Sequence, residues 1–429
     1  MLPDSAHFVV SVVLFVLTYA LMLIFQKYRP WIAIISAISF VFLGILPVTD
    51  VIGAVDFNVL FMIIGTMGTV ALMIESKMPA LMADVIIEKV PNVKWAIVFL
   101  ALFAGIVSAF IDNVATVLMI APIALAISKR LKISPVGMII AIAVSSNLQG
   151  AATLVGDTTS ILLGGHLGMN FLDFFVYLGK PSLFWYVELG AFTSAFIVYF
   201  LFRRHNDKIL HGERTKVNDY VPSLLMLATV VLLIVVSVIP GEKHPMVNGF
   251  ICIGIMIVGF IYRQIKKGEF KSIIEPIKEI DFDTILMLLG LFIVVAGIEA
   301  GGVIDVVANL FISVGGDNLF LIYTLVVWLS VIFSAFIDNI PYVATMLPVM
   351  SVLGSKLGNP VVLCFGLLIG ATLGGNLTPI GASANIAGIG ILRKHGYEVK
   401  NKEFLRIGVP FTLSAILPVY ILVWVFFGI

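Results

Sequence analysis

The six residues Ser108-Ala109-Phe110-Ile111-Asp112-Asn113 recur unchanged as Ser334-Ala335-Phe336-Ile337-Asp338-Asn339. Each copy lies in otherwise apolar sequence, and each is followed at the same distance by a proline, Pro122 and Pro348. A carboxylate and an amide in hydrocarbon-like surroundings are costly and are usually kept for function. Their presence once per half-chain is the pattern of a transporter built from two repeats around a central site.

The surrounding sequence fits only a membrane. Hydrophobic residues make up 60% of the 429 and charged residues 12%, against about 25% charged in soluble domains. A β-barrel would show alternating segments of about ten residues, which are absent. The two cysteines, Cys252 and Cys364, sit in apolar runs without metal-ligand spacing, which argues against a disulfide or zinc site. The first apolar run follows an acidic start and precedes Lys27 and Arg29. This is the pattern of a retained span and not of a cleaved signal peptide.

Runs of about twenty apolar residues predict spans near 7–26, 31–48, 58–75, 136–170 and 182–202, then 221–239, 245–262, 283–300, 360–392 and 409–428. The fold class expected is therefore an all-α polytopic membrane protein. It has two inverted repeats of five transmembrane helices, each with a re-entrant hairpin and a broken helix. The first repeat covers 1–202, with its hairpin at 95–128 and its broken helix at 136–170. A cytoplasmic linker follows at 203–220, and the second repeat covers 221–429, with hairpin 318–354 and broken helix 360–392. With both termini outside, only Lys180, Lys243 and Lys356 of the 26 basic residues fall on the outer face. The positive-inside rule favours that topology in a plasma (inner) membrane. The repeat extends beyond the motif. Asp56 and Asp281 precede matching spans, and Gly150-Ala-Ala-Thr153-Leu-Val-Gly156 aligns with Gly375-Asn-Leu-Thr378-Pro-Ile-Gly381.

Hairpins entering from opposite faces would bring Asp112, Asn113, Asp338 and Asn339 together near the midplane. The broken helices add Thr153, Gly156, Asp157, Thr158, Thr159 and Ser160 from one half, and Asn376, Thr378, Gly381, Ser383 and Asn385 from the other. A helix break frees backbone carbonyls and amides, which are tolerated at membrane depth only where they line a cavity or are buried in protein. Half-helix N-termini can then face an anion and C-termini a cation. A capping role at the hairpin turns is the alternative for Asp112 and Asp338, and a turn-forming role for Asn385. Glu75 and Glu299 end spans and fit interfacial anchors. Glu188 lies inside a span, as a pairing partner or a proton relay. His166 is expected outside the chemistry, and Pro341 to shape the second hairpin.

The run Asp112-Asn113-Val-Ala-Thr-Val-Leu-Met-Ile-Ala-Pro122 with Gly150-Ala-Ala-Thr153-Leu-Val-Gly156-Asp157 resembles the ion transporter superfamily of arsenite permeases, NhaD-type sodium/proton antiporters and the melanosomal P protein. Gly374-Gly-Asn-Leu-Thr378-Pro-Ile-Gly-Ala-Ser-Ala-Asn385, with Lys394-His-Gly-Tyr397, is similar to the P-protein and arsenite-permease branch. The resemblance implies a scaffold, a mobile transport domain carrying two hairpins, and alternating access. The family's usual Gly-Asp-Pro-Pro-Asn reads Gly156-Asp157-Thr158-Thr159-Ser160 here. The dicarboxylate branch carries Ser-Asn-Thr at its hairpin tips, where this chain has Asp-Asn.

Asp112, Asp157 and Asp338 close together would receive a di- or tricarboxylate poorly. Like charges in low dielectric need a shared proton or a cation. The expected function is secondary active transport with H+ or Na+ as coupling ion and no cofactor, either Na+/H+ antiport or arsenite export. Na+ would sit at Asp112, Asn113, Asp157, Asp338 and Asn339. A cation-coupled carboxylate (citrate-like) carrier is the alternative, and a channel is more remote. Val155-Gly156-Asp157 is similar to the Gly-x-Gly-Asp of intramembrane aspartyl proteases, but Leu154 replaces the first glycine, so no enzyme is expected. The expected partners are the small inorganic ion and the lipid bilayer, with a homodimer allowed and no nucleic acid.

Overall fold

Twenty helices make up most of the computed structural model, which describes residues 4–209, 214–241, 243–268 and 271–429. The first half contains α1 (Asp4–Ile24), α2 (Arg29–Phe42), the single turn α3 (Val51–Ala54), α4 (Phe57–Ser76), α5 (Met78–Ile87), α6 (Val93–Ser108), α7 (Asn113–Leu131), α8 (Val136–Gly150), α9 (Thr158–Leu167) and α10 (Leu183–Leu201). The second half contains α11 (Val221–Val238), α12 (Val247–Lys267), α13 (Lys271–Lys278), α14 (Phe282–Ala300), α15 (Val303–Gly315), α16 (Leu319–Ser334), α17 (Asn339–Leu357), α18 (Pro360–Gly374), α19 (Ser383–Lys394) and α20 (Asn401–Val423). Among the described residues the only strands are Val176–Tyr177 and Lys180–Pro181, paired antiparallel. From α4 to α10 the order of elements repeats from α14 to α20.

Among the described residues ten helices are long and apolar enough to cross a membrane, so the chain is an integral membrane protein. Several boundaries differ from the sequence reading. The span expected at 31–48 is a helix of only 14 residues, because Gly44 takes a left-handed φ of 73° and Pro47 follows. Such positions end helices. The last helix begins at Asn401 instead of 409. Helices α5 and α15 were not expected at all. Each directly precedes a hairpin, and α15 meets α16 at 117°. The expected linker at 203–220 includes residues 210–213, which lie outside the described residues. Its later part is strapped to α4 and α5. Arg214 pairs bidentately with Glu88 at 2.6 and 2.7 Å, Thr215 donates to Asp84, and the Asn218 amide donates to the Ser76 carbonyl at 3.0 Å.

Both polar stretches are interrupted midway, between α6 and α7 and between α16 and α17. Asp112 and Asp338 occupy the N-cap positions of α7 and α17. The direction of the two return arms can be read against the continuous helix α4. The outer part of α7, with Pro122 and Arg130, shares a cavity with Lys77 at the C-terminal end of α4. The outer part of α17, with Pro348 and Ser351, shares one with Asp56 at the N-terminal end. Between them, the two tips meet beside Met67, Val70 and Ala71 in the middle of α4. The arms therefore run opposite ways from a common centre. At 19 residues each, α7 and α17 are long enough by count alone to traverse an apolar layer, although each starts inside the protein.

Each half supplies the helix that braces the other. Helix α2 lies along α14, where a side chain on Gly290 would come within 2.6 Å of the Ala33 carbonyl carbon. Helix α12 lies along α4, where a side chain on Gly65 would come within 2.2 Å of the Cys252 carbonyl carbon. Small residues at these crossings let backbones approach closely, which is how helices gain contact in lipid, where no hydrophobic effect drives them together. Replacing Gly65 or Gly290 by Val should destabilise the protein by about 2 kcal/mol or more. Gly254, with open space around it, should accept Ala with little change. Thermal unfolding in detergent of the three variants checks this; equal melting temperatures would contradict the crossings.

Candidate functional site

At each helix break, one glycine backs onto a hairpin tip. A side chain on Gly156 would meet the carbonyl oxygens of Gly150, Ser108 and Ala109 at 2.6, 2.7 and 2.8 Å. One on Gly381 would meet those of Gly375, Ser334 and Ala335 at 2.6, 2.8 and 2.9 Å. The threonines repeat the correspondence, since Thr153 donates to the Ala109 carbonyl and Thr378 to the Ala335 carbonyl. Ser160 Oγ donates to the Gly150 carbonyl at 3.3 Å, and Asn385 Nδ2 to the Gly375 carbonyl at 3.1 Å. These groups satisfy carbonyls that the ends of α6, α8, α16 and α18 would otherwise leave unpaired. The break in the first half forms without the prolines of the family pattern, and Gly156 and Thr153 hold it against the tip.

The sequence-derived residues therefore divide in two. Thr153, Gly156, Ser160, Thr378, Gly381 and Asn385 brace backbone. Asn376 is also engaged, donating to the Val144 carbonyl at 2.9 Å and accepting from Asn147 at 3.1 Å. Asp112, Asn113, Asp157, Thr158, Asn339 and Ser383 line a small cavity of about 120 Å³. Within it Asp112 accepts from the amides of Val114 and Ala115 at 3.0 and 3.1 Å. Asp157 accepts from Thr159 Oγ1 at 2.8 Å and from Asn339 Nδ2 at 3.4 Å. That last contact joins one half's break to the other half's hairpin. Thr159 also meets Thr372 of α18 at 3.0 Å.

The sequence grouped Asp338 with Asp112 and Asp157 as a third carboxylate facing the ion, and the structure places it differently. Asp338 accepts from Arg29 Nη1 at 2.9 Å and from Ser383 Oγ at 3.3 Å, and it caps Ile340. It does not line the cavity. Arg29, read from sequence only as a loop charge, is thus within the site, and its side chain is 14% exposed. Sequence reasoning also missed the exposed Glu279 and Asp281 at the cavity mouth. Among the described residues no Lys or Arg lines this cavity; its ionisable groups are Asp112, Asp157, Glu279 and Asp281. Oxygen donors without a cation suit a cation or a proton.

Asn147 is the other missed residue. Fully buried, it accepts from Asn113 Nδ2 at 3.1 Å and donates to the Thr372 carbonyl at 2.7 Å and to Asn376. One side chain thereby ties the first hairpin to α18 of the other half. Its signal was an amide in the polar end, Ser145-Ser146-Asn147-Leu148-Gln149, of an otherwise apolar run. Glu75 pairs with Arg263 and, at 2.6 Å, with Lys267. Glu299 and His166 line the separate cavity at the start of α4, where His166 bonds Ser351 at 2.6 Å. Glu188 lies on α10, with no ion-pair partner among the described residues. Asn147→Leu should cost about 1–3 kcal/mol, the penalty for stranding buried polar partners. Thermal unfolding compared with Leu148→Ala checks whether the loss extends beyond ordinary packing; an Asn147→Leu protein as stable as the parent would contradict the network.

The sequence matches the citrate transporter family over residues 19–358 and again over 273–428. It is 31% identical to a 46 kDa membrane protein of Mycobacterium leprae, covering 97% of this chain and 98% of that one. An uncharacterized transporter of Mycobacterium tuberculosis is 30% identical over the same shares. The human P protein is 26% identical over 84% of this chain and 52% of its own length. The crystal structure of the YdaH transporter of Alcanivorax borkumensis superposes with a TM-score of 0.60 at 14% identity, covering 89% and 88% of the two chains. That likeness shows a shared fold.

Proposed function

The chain belongs to the citrate transporter family of the ion transporter superfamily, and on that footing we propose that it is a secondary active ion transporter working by alternating access. Its cargo is a small inorganic ion or neutral hydroxide, exchanged or exported at the expense of a proton or sodium gradient, as in Na+/H+ antiport or arsenite export. The observation that carries this reading is the central cavity. Asp112, Asp157, Glu279 and Asp281 face it with no Lys or Arg among the described residues, which favours a cation or proton and repels a free polycarboxylate. Asp112 and Asp157 are the coupling-ion carboxylates. Asn113, Thr158, Asn339 and Ser383 supply neutral oxygens and amides beside them.

The two halves act as inverted repeats, with the site where their tips and breaks converge. The opposed return arms and the matched glycine contacts support this. The basic loops face the cytoplasm of an inner membrane, and both termini lie outside. A second reading has the family's own description in its favour: a carboxylate such as citrate, carried together with cations that neutralise it before it meets the acidic cavity.

Reconstitution in proteoliposomes with imposed proton or sodium gradients, offering arsenite, sodium and carboxylates in turn, tests both readings. Asp112→Asn and Asp157→Asn should each reduce gradient-driven flux by about tenfold or more, because each removes a charge that the ion's binding depends on. Unchanged coupling in both variants would refute the assignment. Citrate uptake that requires a divalent cation would favour the second reading.

A further inference from the structure

The frame repeats between the halves, but its charges do not. The Gly290–Ala33 and Gly65–Cys252 crossings align α2 with α12, so the place held by Arg29 is held in the second half by Asn248. Asp338 thus has a guanidinium against it, whereas Asp112, its counterpart, has no cationic partner among the described residues. A second contact lies alongside. Tyr19 of α1 donates to the Pro341 carbonyl at 2.9 Å and meets Thr345 Oγ1, one turn further along α17. Arg29 Nε also donates to the Met22 carbonyl at 3.2 Å, which fixes its side chain to the end of α1. Two long side chains from the α1–α2 pair therefore hold the start of the second hairpin's return arm. The first hairpin's tip faces the open cavity mouth at Glu279 and Asp281 instead.

We propose that Arg29 is a positioning residue: its ion pair with Asp338, assisted by Tyr19, latches the tip of the second hairpin to α2 in the state with the central cavity open, and it parts in each transport cycle. The inference rests on the alternating-access reading above, and it takes the hairpins to move relative to α2 and α14 in that cycle. A charge pair that is nearly buried in one state and exposed or separated in the other biases the equilibrium toward the first. Removing Arg29 strands Asp338 in the latched state, where an unpaired buried charge is strongly unfavourable. The other state then gains population. Because Arg29 is absent from the cavity lining, its loss reaches the ion's ligands only through Asp338 and the Ser383 bond, and acts chiefly on the equilibrium between states.

Leu118 lines the central cavity and is 43% exposed, while both native cysteines are buried. Leu118→Cys in lipid nanodiscs thus reports how often the cavity is open, through its rate of maleimide labelling. In this background Arg29→Gln should slow labelling by about tenfold, and Arg29→Lys, which keeps the charge, should restore most of it. Tyr19→Phe, which keeps the ring and should fold normally, should slow labelling by about two- to threefold; it carries the test if Arg29→Gln does not insert. Labelling that responds to sodium or proton gradients but is unaltered by Arg29→Gln or Tyr19→Phe would overturn the latch and leave the moving-hairpin reading intact. Labelling that no gradient alters would overturn the moving-hairpin reading itself.

Discussion

A chain that stops being helical inside lipid must satisfy every backbone group it frees, and in this protein two hairpin tips and two helix breaks do so for each other. The carbonyls at the ends of α6 and α8 converge on Gly156, and those of α16 and α18 on Gly381, at distances that admit no side chain. Threonine hydroxyls close both contacts. Without that mutual satisfaction the polar stretches could not remain at depth, and no carboxylate could be held there. The cavity is a consequence of this packing, since it occupies the space left where two such units face each other.

The two halves differ in the polar groups they bring to the centre. The backbone braces are matched in both halves, but Asp157 has Ala382 opposite it and Asn147 has Thr372. Arg29 has Asn248. The result is a matched frame with unmatched chemistry: Asp112 and Asp157 reach the cavity from the first half's tip and break, Glu279 and Asp281 border it from the second half, and Asp338 is paired with Arg29. Cross-bracing by α2 and α12 makes each half incomplete alone, so that the site requires the whole chain. Small residues at those crossings, Gly65 and Gly290, allow the approach.

Much of the architecture was legible in the sequence because lipid reduces the problem to length and polarity. The duplicated motif, the two overlong spans with glycine and threonine at their centres, and the aspartates before α4 and α14 all fell into corresponding structural roles. Helices α5 and α15 were missed because a short apolar helix carries the same composition as the end of a span. The span expected at 31–48 was too long because hydropathy continues past Gly44, whose backbone does not continue the helix. Departure from the family's proline pattern at 158–160 did not remove the break. Gly156, with no room for a side chain against three carbonyls, and Thr153 hold it there.

The sequence by itself determined that the chain lives in lipid, is built twice over, and keeps acids, amides and glycines at matching depths. Hydrophobicity, period and repetition are local properties, and they survive any choice of partners. Only the tertiary structure decided which polar groups face the cavity and which hold up backbone. It also decided that Arg29 reaches Asp338 across more than three hundred residues of chain. Ion pairing and desolvation depend on distances between segments, and no spacing along a sequence encodes those until the segments are packed.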